Sequence, residues 1–143
     1  MKTLKQMLEE RPRAPLAVAP DDSVFVALEL MAKHDIGALL VMNGEHLAGI
    51  FSERDYARKV ALLGKSAKET RVREIMTEKV LYARPEQTVD EAMAVMTDKH
   101  VRHLPVLDAD QRVIGVASIG DLVKETISQQ AFLIKQLEQY IAS

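Results

Sequence analysis

One unit occurs twice in this chain, and that repetition limits the possible folds more than any other feature. Pro20, Val24, Ala27, Met31, Leu39 and Val41 return 65 residues later as Pro85, Val89, Ala92, Met96, Leu104 and Val106. Gly49, Ser52 and Asp55 return after 66 residues as Gly115, Ser118 and Asp121. The one-residue slip falls between two predicted strands, where Asn43-Gly44 is replaced by Asp108-Ala109-Asp110-Gln111. Turns absorb such insertions cheaply, and Asn-Gly is a strong signal for a two-residue hairpin. The chain therefore divides into two copies of a unit of about 60 residues. Residues 1–70 form the first copy with a short N-terminal helix, and residues 71–143 the second with a long C-terminal helix.

Each copy reads the same way. An extended segment runs into a proline, Leu16 to Pro20 and Val80 to Pro85. Asp21-Asp22-Ser23 and Glu86-Gln87-Thr88 then supply the acidic stretch and hydroxyl cap that start a helix. Val24, Ala27, Leu28 and Met31 make its apolar stripe, matched by Val89, Ala92, Met93 and Met96. Two strands follow, Ala38–Met42 with Leu47–Phe51 and Leu104–Leu107 with Val113–Ala117, and a second helix begins near Glu53 or Ile119. Gly64–Lys68 reads as a loop and Val72–Met76 as a short helical connector. The fold class is α+β, two β-α-β-β-α repeats. A three-stranded sheet with helices on one face leaves the other face bare, so the copies are expected to pack sheet to sheet with pseudo-two-fold symmetry.

The ends extend this frame. Leu4, Met7 and Leu8 predict an N-terminal helix stopped near Pro12. After Gly120 the chain has neither glycine nor proline, and Leu122, Val123, Ile127, Leu133, Ile134, Leu137 and Ile141 continue an apolar pattern. A helix of roughly 20 residues would run about 30 Å. Its last turns could pack on the chain's own core or on a second copy.

Composition excludes several function classes. Lys and Arg number 19 against 21 Asp and Glu, so no broad basic footprint for nucleic acid exists. Aromatics are 4% and Trp is absent, which argues against a base-stacking platform. Without cysteine there is no disulfide, thiolate nucleophile or Cys-based zinc site. No stretch approaches a membrane span and Met1–Gln6 opens no apolar leader, so a cytoplasmic protein is expected.

The chemistry-bearing pattern is Gly-x-x-Ser-x-x-Asp, at each predicted junction of strand into helix: Gly49, Ser52, Asp55 and Gly115, Ser118, Asp121. Three residues are close to one turn, so Ser and Asp face the same way at a helix start, where free N–H groups and the dipole favour anions. An ionised carboxylate there can accept hydrogen bonds from two vicinal hydroxyls, as in ribose recognition by Rossmann proteins. Helix capping is the alternative, since Ser favours the cap and Asp the first turn.

The order and spacing of four stretches complete a resemblance. They are Ile36–Val41, Gly49–Tyr56, Val101–Val106 and Gly115–Leu122, together with the connector Val72–Thr77. From about Pro15 to Lys124 the sequence resembles a tandem pair of cystathionine-β-synthase (CBS) domains, a Bateman module, and is similar to small stand-alone prokaryotic CBS proteins. The resemblance implies a regulatory homodimer that binds an adenine nucleotide (AMP, ATP or NAD, with S-adenosylmethionine in the family's range) and signals to a regulated protein without catalysis. It implies ribose contacts from Asp55 and Asp121, sugar or phosphate contacts from Ser52 and Ser118, and adenine contacts from Leu16 and Val80, with Thr77 of the connector in the same set. Arg102-His103 matches the family's phosphate-binding basic pair, and a guanidinium fork suits phosphate oxygens. Gly37-Ala38 stands there in the first copy, which leaves Arg54 or Arg58 to compensate and makes the two sites unequal.

Other clusters carry less. His100 and His103 straddle a helix end without an obvious third ligand, so no metal site is expected. Glu53 and Asp55 diverge at a helix start and have no nucleophile beside them, so no catalytic residue is assigned. A slow nucleotide hydrolase and a structural dimer without ligand are the competing readings.

Overall fold

The computed structural model describes residues 1–11 and 15–142. Its elements are α1 (Leu4–Glu10), β1 (Ala17–Val18), α2 (Val24–His34), β2 (Ala38–Asn43), β3 (His46–Ser52), α3 (Glu53–Tyr56), α4 (Val72–Ile75), α5 (Val89–Lys99), β4 (His103–Leu107), β5 (Val113–Ser118) and α6 (Ile119–Ala142). A π-helical turn, Ala57–Ala61, continues α3. Helix α1 ends at Glu10 as its pattern predicts, and Pro12 lies outside the described residues. The fold is mixed α+β, in two compact units.

The first unit runs from β1 to Leu81 and takes in Ala109–Ile114. Its sheet has the order β1-β2-β3, with β1 parallel to β2 (Ala17↔Leu40, Val18↔Val41) and β2 antiparallel to β3. Asn43 pairs with His46, so the two-residue loop is Gly44-Glu45, one position later than Asn43-Gly44. Gly44 carries the positive φ of 64°, which a residue without Cβ adopts at no steric cost. Ser23 caps α2 by accepting from Val26 N at 3.2 Å, and Val24, Ala27 and Met31 turn into a core with Leu39, Val41 and Phe51.

The second unit holds α1, Tyr82–Asp108 and the chain from Gly115 onward. Thr88 caps α5 through Glu91 N at 3.1 Å, and Val89, Ala92 and Met96 pack with Leu104, Val106 and Ala117. Its sheet departs from the expected three strands. Strands β4 and β5 pair, and the Val80–Pro85 segment contributes only a one-residue parallel bridge, Ala83↔Val106. Ala83 N donates to Pro105 O at 2.8 Å and Leu107 N donates to Ala83 O at 2.9 Å. The next donor, Arg84 N, goes to the Gln87 side chain at 2.8 Å, so the ladder ends there.

A short helix closes each unit, and the two are reciprocal. In the first unit, Val72 N and Arg73 N of α4 donate to Asp22 O and Pro20 O, both at 2.9 Å, while Val24 N donates to Thr70 O at 2.8 Å. In the second, Leu4 N and Lys5 N of α1 donate to Gln87 O and Pro85 O at 2.8 and 3.0 Å, while Val89 N donates to Lys2 O at 3.0 Å. The N-terminal helix therefore packs against the second repeat, where chain order had placed it with the first. Leu4 and Met7 are 0% and 2% exposed in that core, which gives the physical reason: both side chains need an apolar floor, and the second repeat's floor is where α4's counterpart is missing.

Candidate functional site

The Ser–Asp pairs sit where the sequence places them, at β3 into α3 and β5 into α6. Their surroundings differ. In the first repeat Asp55 N donates to Ser52 Oγ at 3.2 Å, while Ser52 N and Ser52 Oγ donate to Asp55 Oδ2 at 3.0 and 3.1 Å. That is a complete capping box. The other oxygen, Oδ1, lies 3.3 Å from Lys59 Nζ and accepts from Thr77 Oγ1 at 3.4 Å. Lys59 Nζ also donates to Ile75 O at 3.0 Å, tying the ammonium to α4. Asp55 is buried, and both carboxylate oxygens are engaged from within the chain.

The second repeat leaves its carboxylate less committed. Asp121 N donates to Ser118 Oγ at 3.2 Å, but among the described residues Asp121 makes no bond back to the Ser118 amide. Its charged neighbour is Arg11, whose Nη1 stands 3.9 Å from Oδ1. That separation is too long for a strong hydrogen bond, so the carboxylate keeps acceptor capacity. Ser118 and Asp121 are half-buried, reachable but held.

The equivalence of Gly37 and Arg102 is visible in the backbone. Glu53 N, at the start of α3, donates to Gly37 O at 3.0 Å, and Ile119 N, at the start of α6, donates to Arg102 O at 2.9 Å. The second repeat thus brings Arg102, Ser118, Asp121 and Arg11 to one helix start. The first brings Ser52, Asp55, Thr77 and Lys59 to the other. Arg102 is exposed, and His103 opens β4 half-buried. Arg54 and Arg58 are exposed on α3 and the π turn, and neither makes an ion pair among the described residues. Leu16 and Val80 are half-buried before their prolines, with Leu16 O accepting from Leu40 N at 3.2 Å.

Two residues of these clusters escaped the sequence reading. Lys59 lies four residues after Asp55, and that spacing is a helical ion-pair signal. Arg11 carries no such signal, because it reaches Asp121 only through the packing of α1.

The glycine of each motif marks a close approach. A Cβ on Gly49 would come within 2.7 Å of Thr77 O, and one on Gly115 within 2.8 Å of Leu8 Cδ2. The closing helices α4 and α1 therefore rest on the motif strands themselves.

The sequence matches the CBS domain family over residues 11–62 and again over 72–128. The chain belongs to the CBS-domain family. Its two CBS repeats have close structural relatives. The CBS-domain structure NE2398 is 53% identical, with a TM-score of 0.84 over 88% of this chain and 98% of that one. A CBS-domain protein of Burkholderia ambifaria MC40-6 is 52% identical, with a TM-score of 0.86 over 90% and 96%. The CBS pair of protein MJ0100, solved with 5′-methylthioadenosine and S-adenosyl-L-methionine, is 25% identical, with a TM-score of 0.79 over 90% and 98%. Among curated proteins, the mitochondrial CBS domain-containing protein CBSX3 of Arabidopsis thaliana is 44% identical over 85% of this chain. The match spans 61% of the length of CBSX3. No described helix of this CBS pair is long and apolar enough to cross a membrane.

Proposed function

We propose that the chain is a regulatory module that binds an adenine nucleotide and performs no reaction on it. The observation that carries this reading is the half-buried Asp121 carboxylate at the start of α6, with spare acceptor capacity and Arg102 at the same helix start. A ribose diol needs such an acceptor, and a phosphate needs such a cation. Support comes from MJ0100, whose CBS pair holds two adenosine compounds. In this reading Asp121 and Ser118 take the ribose and Arg102 with His103 takes phosphate, which favours AMP, ATP or NAD over S-adenosylmethionine. Leu16, Val80 and Thr77 belong to the adenine and sugar contacts. The first-repeat set, Ser52, Asp55, Arg54 and Arg58, binds more weakly because Lys59 and Thr77 already occupy Asp55. The module works as a homodimer and passes the ligand state to a protein partner.

Calorimetry with AMP, ATP, NAD, S-adenosylmethionine and adenosine tests it, with chromatography of the ligand afterwards. AMP is expected to bind roughly tenfold to a hundredfold tighter than adenosine, since a charge-assisted hydrogen bond is worth about 1.5–3 kcal/mol. Equal affinity for adenosine and AMP would overturn the phosphate assignment, and loss of the nucleotide to a product would overturn the absence of catalysis.

A further inference from the structure

Helix α6 packs inward only along its first half. Leu122 and Glu125 are buried, and Thr126 and Gln129 are half-buried. From Gln130 to Ile141 every described side chain is exposed, although Leu133, Ile134, Leu137 and Ile141 are among them. Twelve helical residues with no packing face are marginal in water by themselves.

The exposed apolar residues follow a heptad. Val123, Ile127, Gln130, Ile134, Leu137 and Ile141 alternate four- and three-residue steps, the spacing of a coiled-coil seam. Ile127, Ile134 and Ile141 fall at a positions and Leu137 at d, the combination that favours a parallel two-stranded coil. Their exposures run from 53% to 82%.

We infer that the C-terminal half of α6 is the interface with a second copy of this chain, joined as a parallel, in-register coiled coil. Three observations select that occupant. Gln130 sits at a d position inside the seam, and only an in-register copy places another Gln130 opposite it, so that each amide finds a partner. The flanking e and g positions are Lys124, Ala131 and Glu138, and Thr126 and Leu133, so parallel pairing sets no like charges against each other. Burying Ile127, Leu133, Ile134, Leu137 and Ile141 removes roughly 100 Å² apiece. Over two copies this is about 1,000 Å², the least that a stable interface buries. The seam shares no residue with the proposed nucleotide contacts, so either reading can fail without the other.

Sedimentation of the intact chain at tens of micromolar is expected to show a dimer, and the Ile134→Asp/Leu137→Asp variant a monomer with its cooperative melt retained. An intact chain that sediments as a monomer or as a trimer, or a variant that stays dimeric, overturns the inference. The absence of cysteine allows a second test of orientation. Gln130→Cys and Ile141→Cys, each alone and oxidised with diamide, are expected to form covalent dimers, whereas the outward Lys135→Cys is not. The two positions lie about 16 Å apart along the helix, so no antiparallel pairing can bring both to their counterparts. Failure of either to cross-link overturns the parallel register.

Discussion

Two aspartates from the same motif have come to hold different stations. Asp55 completes a capping box and neutralises Lys59, whereas Asp121 meets only Arg11, at 3.9 Å. Asp121→Ala is therefore expected to abolish most of the thermal shift given by AMP. At a hundredfold excess over the dissociation constant the intact site contributes about 2.7 kcal/mol. Asp55→Ala is expected to lower apo stability by about 1 kcal/mol through the lost cap and to leave most of that shift in place. Differential scanning fluorimetry of the two variants separates these outcomes, and equal loss of shift would contradict the assignment. Lys59→Met frees one oxygen of Asp55. Calorimetric stoichiometry should then rise from one nucleotide per chain towards two, and an unchanged stoichiometry would show that Lys59 does not gate the first repeat.

Element boundaries in the two repeats are set by the same devices, some of them strained. Helices α2 and α5 end on Asp35 and His100, which are 65 residues apart and carry φ of 51° and 56°. A side chain with Cβ is disfavoured in that left-handed region, so Asp35→Gly and His100→Gly should each stabilise by up to about 1 kcal/mol, read as a higher urea midpoint. The motif glycines respond differently to one added methyl. At Gly49 the obstacle is the backbone oxygen of Thr77, which also accepts from Ile50 N at 3.0 Å. Gly49→Ala should therefore cost more than Gly115→Ala, whose obstacle is the end of the Leu8 side chain. Leu8→Ala should recover part of the Gly115→Ala loss, and simple additivity of the two losses would show that α1 does not rest there.

At the scale of the molecule, the N-terminal helix completes a core whose other residues lie at least seventy positions away. Leu4→Ala, at a site with 0% exposure, is expected to cost about 2–5 kcal/mol. Lys2 reinforces the same junction, 3.1 Å from the buried carboxylate of Glu125. Its hydrogen bond to Glu10 raises the Lys2 ammonium above its ordinary value of 10.5, with a further contribution from Glu125 and opposition from partial desolvation. Because the folded value is raised, this contribution is fully present below pH 10.5 and is lost as pH climbs through the folded value. The stability difference between the intact chain and Lys2→Met should thus shrink between pH 9.5 and about pH 12. A difference independent of pH in chemical denaturation would remove Lys2 from the account.

Local order was legible because it depends on near neighbours along the chain. The caps at Ser23 and Thr88, the stripes of α2 and α5, the hairpin and the Ser–Asp junctions are all written within a few residues, and the repeat doubled each signal. The structure places them where the pattern does. Three features had no local signature. The partner of α1 was one, since Leu4 and Met7 state that an apolar floor is needed and not which repeat supplies it. The missing third strand was another, since Val80–Pro85 has the same composition as its counterpart and differs only in where Arg84 N finds an acceptor. The unequal carboxylates were the third. Arg102 against Gly37 already forecast inequality, but the occupation of Asp55 by Thr77, and the approach of Arg11 to Asp121, exist only once chain segments separated by 22 and 110 positions are packed together. Sequence determines what each segment can bury or bond, and tertiary packing decides which distant segment satisfies it.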